Sequence, residues 1–211
     1  MRILVSNDDG IHTEGIAALA EAMADHGEVW VVAPQTEQSG VGRAITLNHP
    51  LRVEKFRGRE RWISVSGTPT DCVYLALNHF MLEHRPDLVV SGINHGSNLG
   101  TDAHYSGTVS AAKEGMANGI SSMAFSLVTY SEFDFTVAAR FAHEMVGWVK
   151  HNPLPAGVML NCNVPRDATG DFAVCRQGTR TYDGVKVDQR RDPRGRNYYW
   201  IGGTEINHAG C

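Results

Sequence analysis

The chain has 211 residues, of which 42% are hydrophobic and 20% charged, enough for one large domain or two small ones with a real hydrophobic core. Its formal net charge of −4 excludes a strongly basic surface, so we expect neither polymeric nucleic acid nor an anionic membrane as a partner. No apolar run approaches the ~20 residues that span a bilayer. The apolar stretch before Asp8 is too short for a signal peptide, so we expect a cytoplasmic protein.

Apolar residues recur with helical or strand periods along the chain. The spacing from Ile16 to Met23 predicts an amphipathic helix that ends at Gly27. At the next helix, Thr68 is the expected N-cap and Asp71 completes a capping box. The predicted elements are strand 2–6, helix 14–26, strand 28–33, hairpin strands 51–56 and 62–67, helix 68–82, strand 87–91, helix 108–118, strand 120–127, helix 133–150 and strand 157–164.

This alternation of strands and helices predicts an α/β fold that is Rossmann-like, with a mostly parallel sheet and helices on both faces. We predict a single domain over 1–211, consisting of an α/β core over 1–164 and a β-rich C-terminal extension over 165–211. The extension is polar and rich in arginine, and 197–203 is its clearest strand. The carboxyl ends of parallel strands meet at one edge, where ligands usually bind.

The four cysteines, at positions 72, 162, 175 and 211, form no C-x-x-C pair. The first three lie within or beside apolar runs. We therefore expect buried or incidental thiols in a reducing compartment rather than a structural zinc site or a disulfide framework.

Polar loops follow three of the predicted core strands and should converge at this edge. They are NDDG from Asn7, PQTEQSG from Pro34 and SGINHGSN from Ser91. Together they offer two adjacent carboxylates, a serine hydroxyl and asparagine carbonyls, which are oxygen donors suited to Mg²⁺ or Mn²⁺. Adjacent carboxylates repel each other unless a cation lies beside them. Alternatively, Asp8 and Asp9 belong to a plain turn in contact with solvent and hold no metal.

A turn of small residues over 105–112 opens the helix at 108. Free backbone N–H groups and the helix dipole make such a turn an anion site. Plain N-capping by Ser106 or Thr108 is the alternative. Beside a loop suited to a metal, phosphate binding explains the turn best.

Other nucleotide-binding and hydrolase motifs are missing from the sequence. It contains no P-loop, no complete dinucleotide-binding fingerprint, no zinc-protease helix motif and no G-x-S-x-G elbow. The residues therefore indicate a divalent-metal-dependent phosphatase that acts on small phosphomonoesters.

Six motifs resemble the SurE survival-protein family. They are ILVSNDDG from Ile3, the loop with Ala33-Pro34 and Ser39-Gly40, GTPTDCV from Gly67, VSGIN from Val90, G-x-NLG from Gly96 and YSGTV from Tyr105. They occur in order, and the match covers nearly the whole chain. The resemblance implies a phosphoric monoester hydrolase of the 5′/3′-nucleotidase type with broad activity on nucleoside monophosphates.

The resemblance also implies one divalent metal ion per subunit, Mg²⁺ or Mn²⁺, and a homodimer or homotetramer. The implied metal ligands are Asp8, Asp9, Ser39 and Asn94. The implied catalytic residues are Asp8, Asp9 and Asn98, and the implied substrate-binding residues are Asn98, Ser106, Gly107 and Thr108. Family chains usually continue past the position of Cys211, so we expect a shortened C-terminal extension.

Two rival functions remain open at this stage. A haloacid-dehalogenase-type phosphatase would use Asp8 as nucleophile, but it expects an aspartate two positions later, where this chain has Gly10. A phosphate- or nucleotide-binding module without turnover would use the same anion turn. His95 and His104 flank the site loops, and we interpret both as incidental loop residues.

Overall fold

The computed structural model describes residues 1–56, 58–129, 131–183, 186–202 and 205–209. The chain forms two compact units, which we describe separately. The first consists of residues 1–98 and 103–172, and the second of residues 99–102 and the described part of 173–211. The division into a core over 1–164 and an extension over 165–211 remains a prediction.

A seven-stranded sheet forms the centre of the first unit. Its strands are β1 (Arg2–Ser6), β2 (Glu28–Pro34), β3 (Val53–Lys55), β4 (Trp62–Val65), β5 (Leu88–His95), β6 (Ser121–Val128) and β7 (Leu160–Pro165). They lie in the order β3-β4-β2-β1-β5-β6-β7, and every neighbouring pair is parallel except β3 with β4. The predicted parallel sheet and the predicted hairpin are therefore confirmed.

Four helices cover the two faces of this sheet. They are α1 (Glu14–Met23), α2 (Pro69–Leu75), α3 (Gly107–Ala117) and α4 (Thr136–His151). Helices α1 and α4 pack together on one face, and α2 and α3 pack together on the other. The predicted capping box of α2 is present, with Thr68 accepting from the N–H of Asp71 and the Asp71 side chain accepting from the N–H of Thr68.

The strand β1 shows how the core is divided between the two faces. Ile3 and Val5 belong to the apolar cluster under α1 and α4, whereas Leu4 belongs to the cluster under α2. All three side chains are fully buried. Since alternate residues of a strand point to opposite faces, a short apolar run such as RILVS is the pattern of a strand buried on both sides.

The strand β5 is longer than the sequence predicts. The predicted strand ends at residue 91 and is followed by a loop, but β5 continues to His95 with a shift of register against β6 between Ser91 and Asn94. Gly92 makes this possible, because a Cβ there would lie 2.2 Å from the carbonyl oxygen of Phe125. Because glycine is rare in strands, the sequence pattern predicted an end of the strand that is too early. Asn94 therefore lies on a strand.

The second unit consists of antiparallel ribbons. β8 (Thr179–Asp183) pairs with β11 (Glu205–Ala209), and β9 (Lys186–Arg191) pairs with β10 (Asn197–Gly202). The predicted strand at 197–203 is confirmed as far as Gly202, and position 203 lies outside the described residues. Arg180 contributes to the unit through an ion pair with Asp102 at 2.7 Å.

The described cysteines are all free: Cys72 is buried, Cys162 half-buried and Cys175 exposed. Burial raises the pKa of the Cys162 thiol to about 12, so this thiol stays protonated at neutral pH. Cys211 lies outside the described residues. Among the described residues, none of the helices has both the length and the hydropathy of a membrane-spanning segment.

Candidate active site

The loop after β1 is folded tightly by its own asparagine. The side chain of Asn7 donates to the carbonyl of Gly10 at 2.9 Å and to the hydroxyl of Thr13 at 3.1 Å. Its oxygen accepts from the N–H of Gly10 at 3.2 Å. These hydrogen bonds satisfy polar groups of the turn that burial removes from water. They hold Asp8 and Asp9 in one orientation at the carboxyl edge of the sheet.

Asp8 is a buried carboxylate, with 4% of its surface exposed. Its Oδ1 accepts a hydrogen bond from the hydroxyl of Thr108. Burial raises the pKa of Asp8 to about 6, the Thr108 hydrogen bond opposes that rise, and the neighbouring charge of Asp9 adds to it. A carboxylate in this position gains from a nearby cation, because a cation offsets the free-energy cost of losing water.

Asp9 is also mostly buried and lies beside a histidine. Nδ1 of His95 is 3.0 Å from Oδ2 of Asp9, without the alignment of a hydrogen bond. Burial raises the pKa of Asp9, the charge of His95 lowers it, and the charge of Glu37 raises it. Both residues belong to polar segments predicted to converge at this edge, but neither residue type indicated a role there, and His95 lies at the end of β5.

The first turn of α3 lies directly against Asp8. Ser106 is the N-cap, and its hydroxyl accepts from the N–H of Val109 at 3.1 Å. A Cβ on Gly107 would lie 2.6 Å from Cβ of Asp8, so only glycine allows the helix to start this close. The fully buried hydroxyl of Thr108 faces two acceptors, Oδ1 of Asp8 and, at 3.1 Å, Oδ1 of Asn94. Ser106 is thus the capping residue, and Thr108 joins the carboxylate and the amide.

The two asparagines of the third loop have different surroundings. Asn94 directs its oxygen toward Thr108 and donates from Nδ2 to the carbonyl of Gly96 at 2.8 Å. Asn98 is buried and donates from Nδ2 to the hydroxyl of Ser126 at 2.8 Å. Its backbone N–H donates to Oδ1 of Asn163 at 2.8 Å. Asn98 therefore connects the loop to β6 and β7 through hydrogen bonds. Its role in substrate binding remains a prediction.

Ser39 is the predicted site residue that the structure leaves on the periphery. It is exposed, and its hydroxyl donates to Oε1 of Glu37 at 2.7 Å. The loop itself approaches the carboxylates, because the N–H of Gln38 donates to the carbonyl oxygen of Asp8 at 2.7 Å. Asp8, Asn94, Gly107 and Thr108 are thus brought into one site, while the Ser39 hydroxyl is directed to a neighbouring carboxylate.

The family model described as Survival protein SurE matches residues 3–184. The chain belongs to the SurE family. It is 52% identical over 208 residues to the 5′-nucleotidase SurE of Myxococcus xanthus strain DK1622, covering 98% of this chain and 78% of that protein. It is 51% identical over 211 residues to the 5′-nucleotidase SurE of Geotalea daltonii, covering 98% of this chain and 84% of that protein.

The fold agrees with a solved member of the family. A crystal structure of SurE protein from Aquifex aeolicus superimposes with a TM-score of 0.85 at 40% identity, covering 98% of this chain and 84% of that chain. The family resemblance carried by the six motifs and the Rossmann-like α/β fold predicted from the alternation of strands and helices are both confirmed.

The donor set of this SurE site fits a hard divalent cation. Oδ2 of Asp9 is buried and accepts no hydrogen bond. Among the described residues, no lysine or arginine forms an ion pair with Asp8 or Asp9. No three His, Cys, Asp or Glu side chains converge in the described ranges. Besides the imidazole of His95, the groups near the carboxylates include the amide oxygen of Asn94 and the hydroxyl of Thr108. Oxygen ligands of this type are the ones that Mg²⁺ and Mn²⁺ prefer.

Proposed function

We propose that the chain is a divalent-metal-dependent 5′-nucleotidase, a phosphoric monoester hydrolase that converts nucleoside monophosphates to nucleoside and phosphate. The observation that supports it most directly is the meeting of Asp8, Asn94 and Thr108 at the amino end of α3. Carboxylates would repel a phosphate on their own, so a buried acidic pair beside an anion-binding helix end requires a cation between them. The names of the SurE relatives agree with this activity.

One ion per subunit, Mg²⁺ or Mn²⁺, would be held by Asp8, Asp9 and Asn94, with Ser39 as the further predicted ligand. When bound, it supplies positive charge to the phosphoryl oxygens and lowers the pKa of a water molecule. Because Ser39 is exposed and bonded to Glu37, its participation requires the hydroxyl to turn away from that carboxylate.

The protein's own groups position the phosphate and move the protons. The N–H groups at the start of α3 that Ser106 does not cap bind phosphoryl oxygens, and the helix dipole favours their negative charge. Asp9 accepts the proton of the attacking water. The water oxygen forms the new P–O bond, the ester P–O bond breaks, and the leaving sugar oxygen takes up a proton from solvent while Asp9 releases the one that it accepted.

Asn98 can take part without losing its structural role. Its amide nitrogen carries two hydrogens, and one of them is used by the hydroxyl of Ser126. That bond fixes the plane of the amide, so the second N–H has a defined direction. We propose that this second N–H donates to a phosphoryl oxygen.

The measurement that tests the function is release of phosphate from AMP, GMP and p-nitrophenyl phosphate, in EDTA and after Mg²⁺ or Mn²⁺ is restored. We expect release only with the metal. Asp8→Asn should abolish release while the circular dichroism of the fold is kept. Near-normal turnover by this variant would contradict the assignment.

Two outcomes would favour the rival functions. Tight phosphate binding without turnover of any phosphomonoester, by folded protein, would indicate a binding module. A trapped phosphorylated Asp8 would indicate a nucleophilic aspartate. We further propose a cytoplasmic homodimer or homotetramer, which light scattering after size exclusion would show.

A further inference from the structure

Three aromatic rings form a cluster directly beside Asp9. The ring of His95 lies edge-on against Phe133, with centroids 4.7 Å apart, and edge-on against Phe135, with centroids 5.1 Å apart. Phe133 and Phe135 are nearly parallel, with an interplanar angle of 13° and centroids 6.3 Å apart. Such edge-to-face and offset arrangements are the favoured geometries of aromatic contacts. The rings therefore support one another as one structural feature.

The two phenylalanines of this cluster differ in exposure. Phe135 is 6% exposed and belongs to the core under α1 and α4. Phe133 is 41% exposed. Phe135 and His95 pack against the Phe133 ring, which restricts how its exposed part can turn. A rigid aromatic surface loses little conformational freedom when a flat ligand stacks on it.

The cluster also has a defined position relative to the carboxylates. Nδ1 of His95 lies 3.0 Å from Oδ2 of Asp9, and the Phe133 ring contacts the same imidazole. One imidazole ring thus separates Phe133 from the site at which the phosphate would react. In a nucleoside monophosphate, one sugar separates the base from the phosphate, which is a similar span.

We propose that Phe133 is the surface on which the nucleobase of the substrate stacks, and that it is a specificity-determining residue of this site. The proposal rests on the proposed nucleotidase function, because it takes the phosphate to bind at Asp8 and Asp9. Stacking on an aromatic ring tolerates every base, since each base has a π-face. Phe133 therefore favours nucleotides over phosphomonoesters without a base, and purines over pyrimidines through their larger ring area.

The test compares AMP with ribose 5-phosphate, which carries the same sugar and phosphate but no base. Phe133→Ala should lower the ratio of kcat/KM for AMP to kcat/KM for ribose 5-phosphate by roughly 5- to 20-fold, since base stacking on aromatic side chains commonly has effects of this size. The loss should appear in KM for AMP. Phe133→Trp should restore the ratio, because it restores the ring.

Phe172→Ala is the matched control. Phe172 is an exposed phenylalanine whose ring contacts Phe141 instead of His95, so its removal should leave the ratio unchanged. Equilibrium binding of adenosine to the Mg²⁺-loaded protein gives a readout independent of turnover, and Phe133→Ala should weaken it by a similar factor.

An unchanged ratio in Phe133→Ala, with both substrates hydrolysed by the wild type, would overturn this inference and leave the nucleotidase function standing. A wild type that hydrolyses neither substrate would contradict the proposed function itself. If Phe133→Ala instead shifted the oligomer observed by light scattering and kept the ratio, Phe133 would be a contact between copies of the chain, and the stacking role would be wrong.

Discussion

The hydroxyl of Thr108 donates to Oδ1 of Asp8, although the two residues lie 100 positions apart in the chain. Both groups are buried, so this hydrogen bond stabilises the ionised carboxylate where little water reaches it. The same hydroxyl lies 3.1 Å from Oδ1 of Asn94. Thr108 therefore connects the first and third polar loops at the start of α3.

Thr108→Val should lower kcat/KM for AMP by roughly 10- to 100-fold, because it removes a hydrogen bond to a buried charge. Valine keeps the shape of threonine, so the fold should be retained. Thr108→Ser keeps the hydroxyl and should retain most of the activity. Initial rates with Mn²⁺, together with thermal unfolding of each variant, provide the measurement. Equal activity of the valine and wild-type proteins would show that the hydroxyl has no role in turnover.

The stability of the metal-free protein should depend on pH through Asp8. Burial raises its pKa from 3.8 to about 6, so between these values the folded protein binds more protons than the unfolded chain. Its stability then falls as pH rises through this window and stays reduced above it. Near pH 8 in EDTA, Asp8→Asn should melt at a higher temperature than wild type, with a free energy of unfolding larger by at most ~3 kcal/mol. Near pH 4 the two proteins should melt at similar temperatures.

Addition of Mn²⁺ near pH 8 should reverse this order. An ion that binds only the folded protein stabilises it, and the variant lacks one of the ionised ligands. Thermal unfolding with and without Mn²⁺ measures both effects. The same metal-induced rise in melting temperature in the two proteins would exclude Asp8 as a ligand.

Gly107→Ala should damage the site more than an alanine normally does in a helix. Its Cβ would lie 2.6 Å from Cβ of Asp8 and 2.9 Å from Oδ2, so either the carboxylate or the start of α3 must move. We expect at least a roughly tenfold loss of kcat/KM, since misplaced catalytic groups reduce rates strongly. A lower melting temperature should accompany it.

The matched control is Gly147→Ala in α4. The nearest atom to its Cβ would be Cε1 of His26 at 3.4 Å, an ordinary contact. Alanine there should raise stability by up to ~1 kcal/mol and leave activity unchanged. If both variants behaved alike, the close approach of α3 to Asp8 would not matter for function.

Asp71 should be a major support of the loop that precedes β3. It is 1% exposed and accepts from the N–H and hydroxyl of Thr46, at 2.9 and 2.6 Å, and from the N–H of Thr68 at 2.9 Å. Asp71→Ala leaves these donors unpaired, which should lower the free energy of unfolding by about 2–4 kcal/mol. Urea unfolding measures this change.

Asp87→Ala offers the comparison for that experiment. Asp87 accepts one bond, from the N–H of Arg2 at 2.7 Å, in an exposed position. Asp87→Ala should lower the free energy of unfolding by about 1 kcal/mol or less. A loss for Asp71→Ala no greater than this would show that the capping box contributes little to the fold.

The helices and strands were largely predictable because their signals are local. The continuous apolar run of β1 and the capping box at Thr68 depend on residues that are close together in the chain. The end of β5 was not predictable, because Gly92 has no strand propensity. What extends the strand is its close packing against the carbonyl of Phe125, and that contact does not show in the local pattern.

The sequence by itself determined the α/β class of the fold and the placement of polar residues at the carboxyl ends of β1, β2 and β5. The hydrophobic period and the alternation of strands and helices are local features of the residue pattern. Only the tertiary structure decided which side chains meet. Thr108 bonds to Asp8 instead of capping its helix, Asn98 is fastened to Ser126, and His95 lies against Asp9. These contacts depend on how closely α3 packs and where β5 shifts register. Both follow from the packing of the whole unit, which no short stretch of sequence encodes.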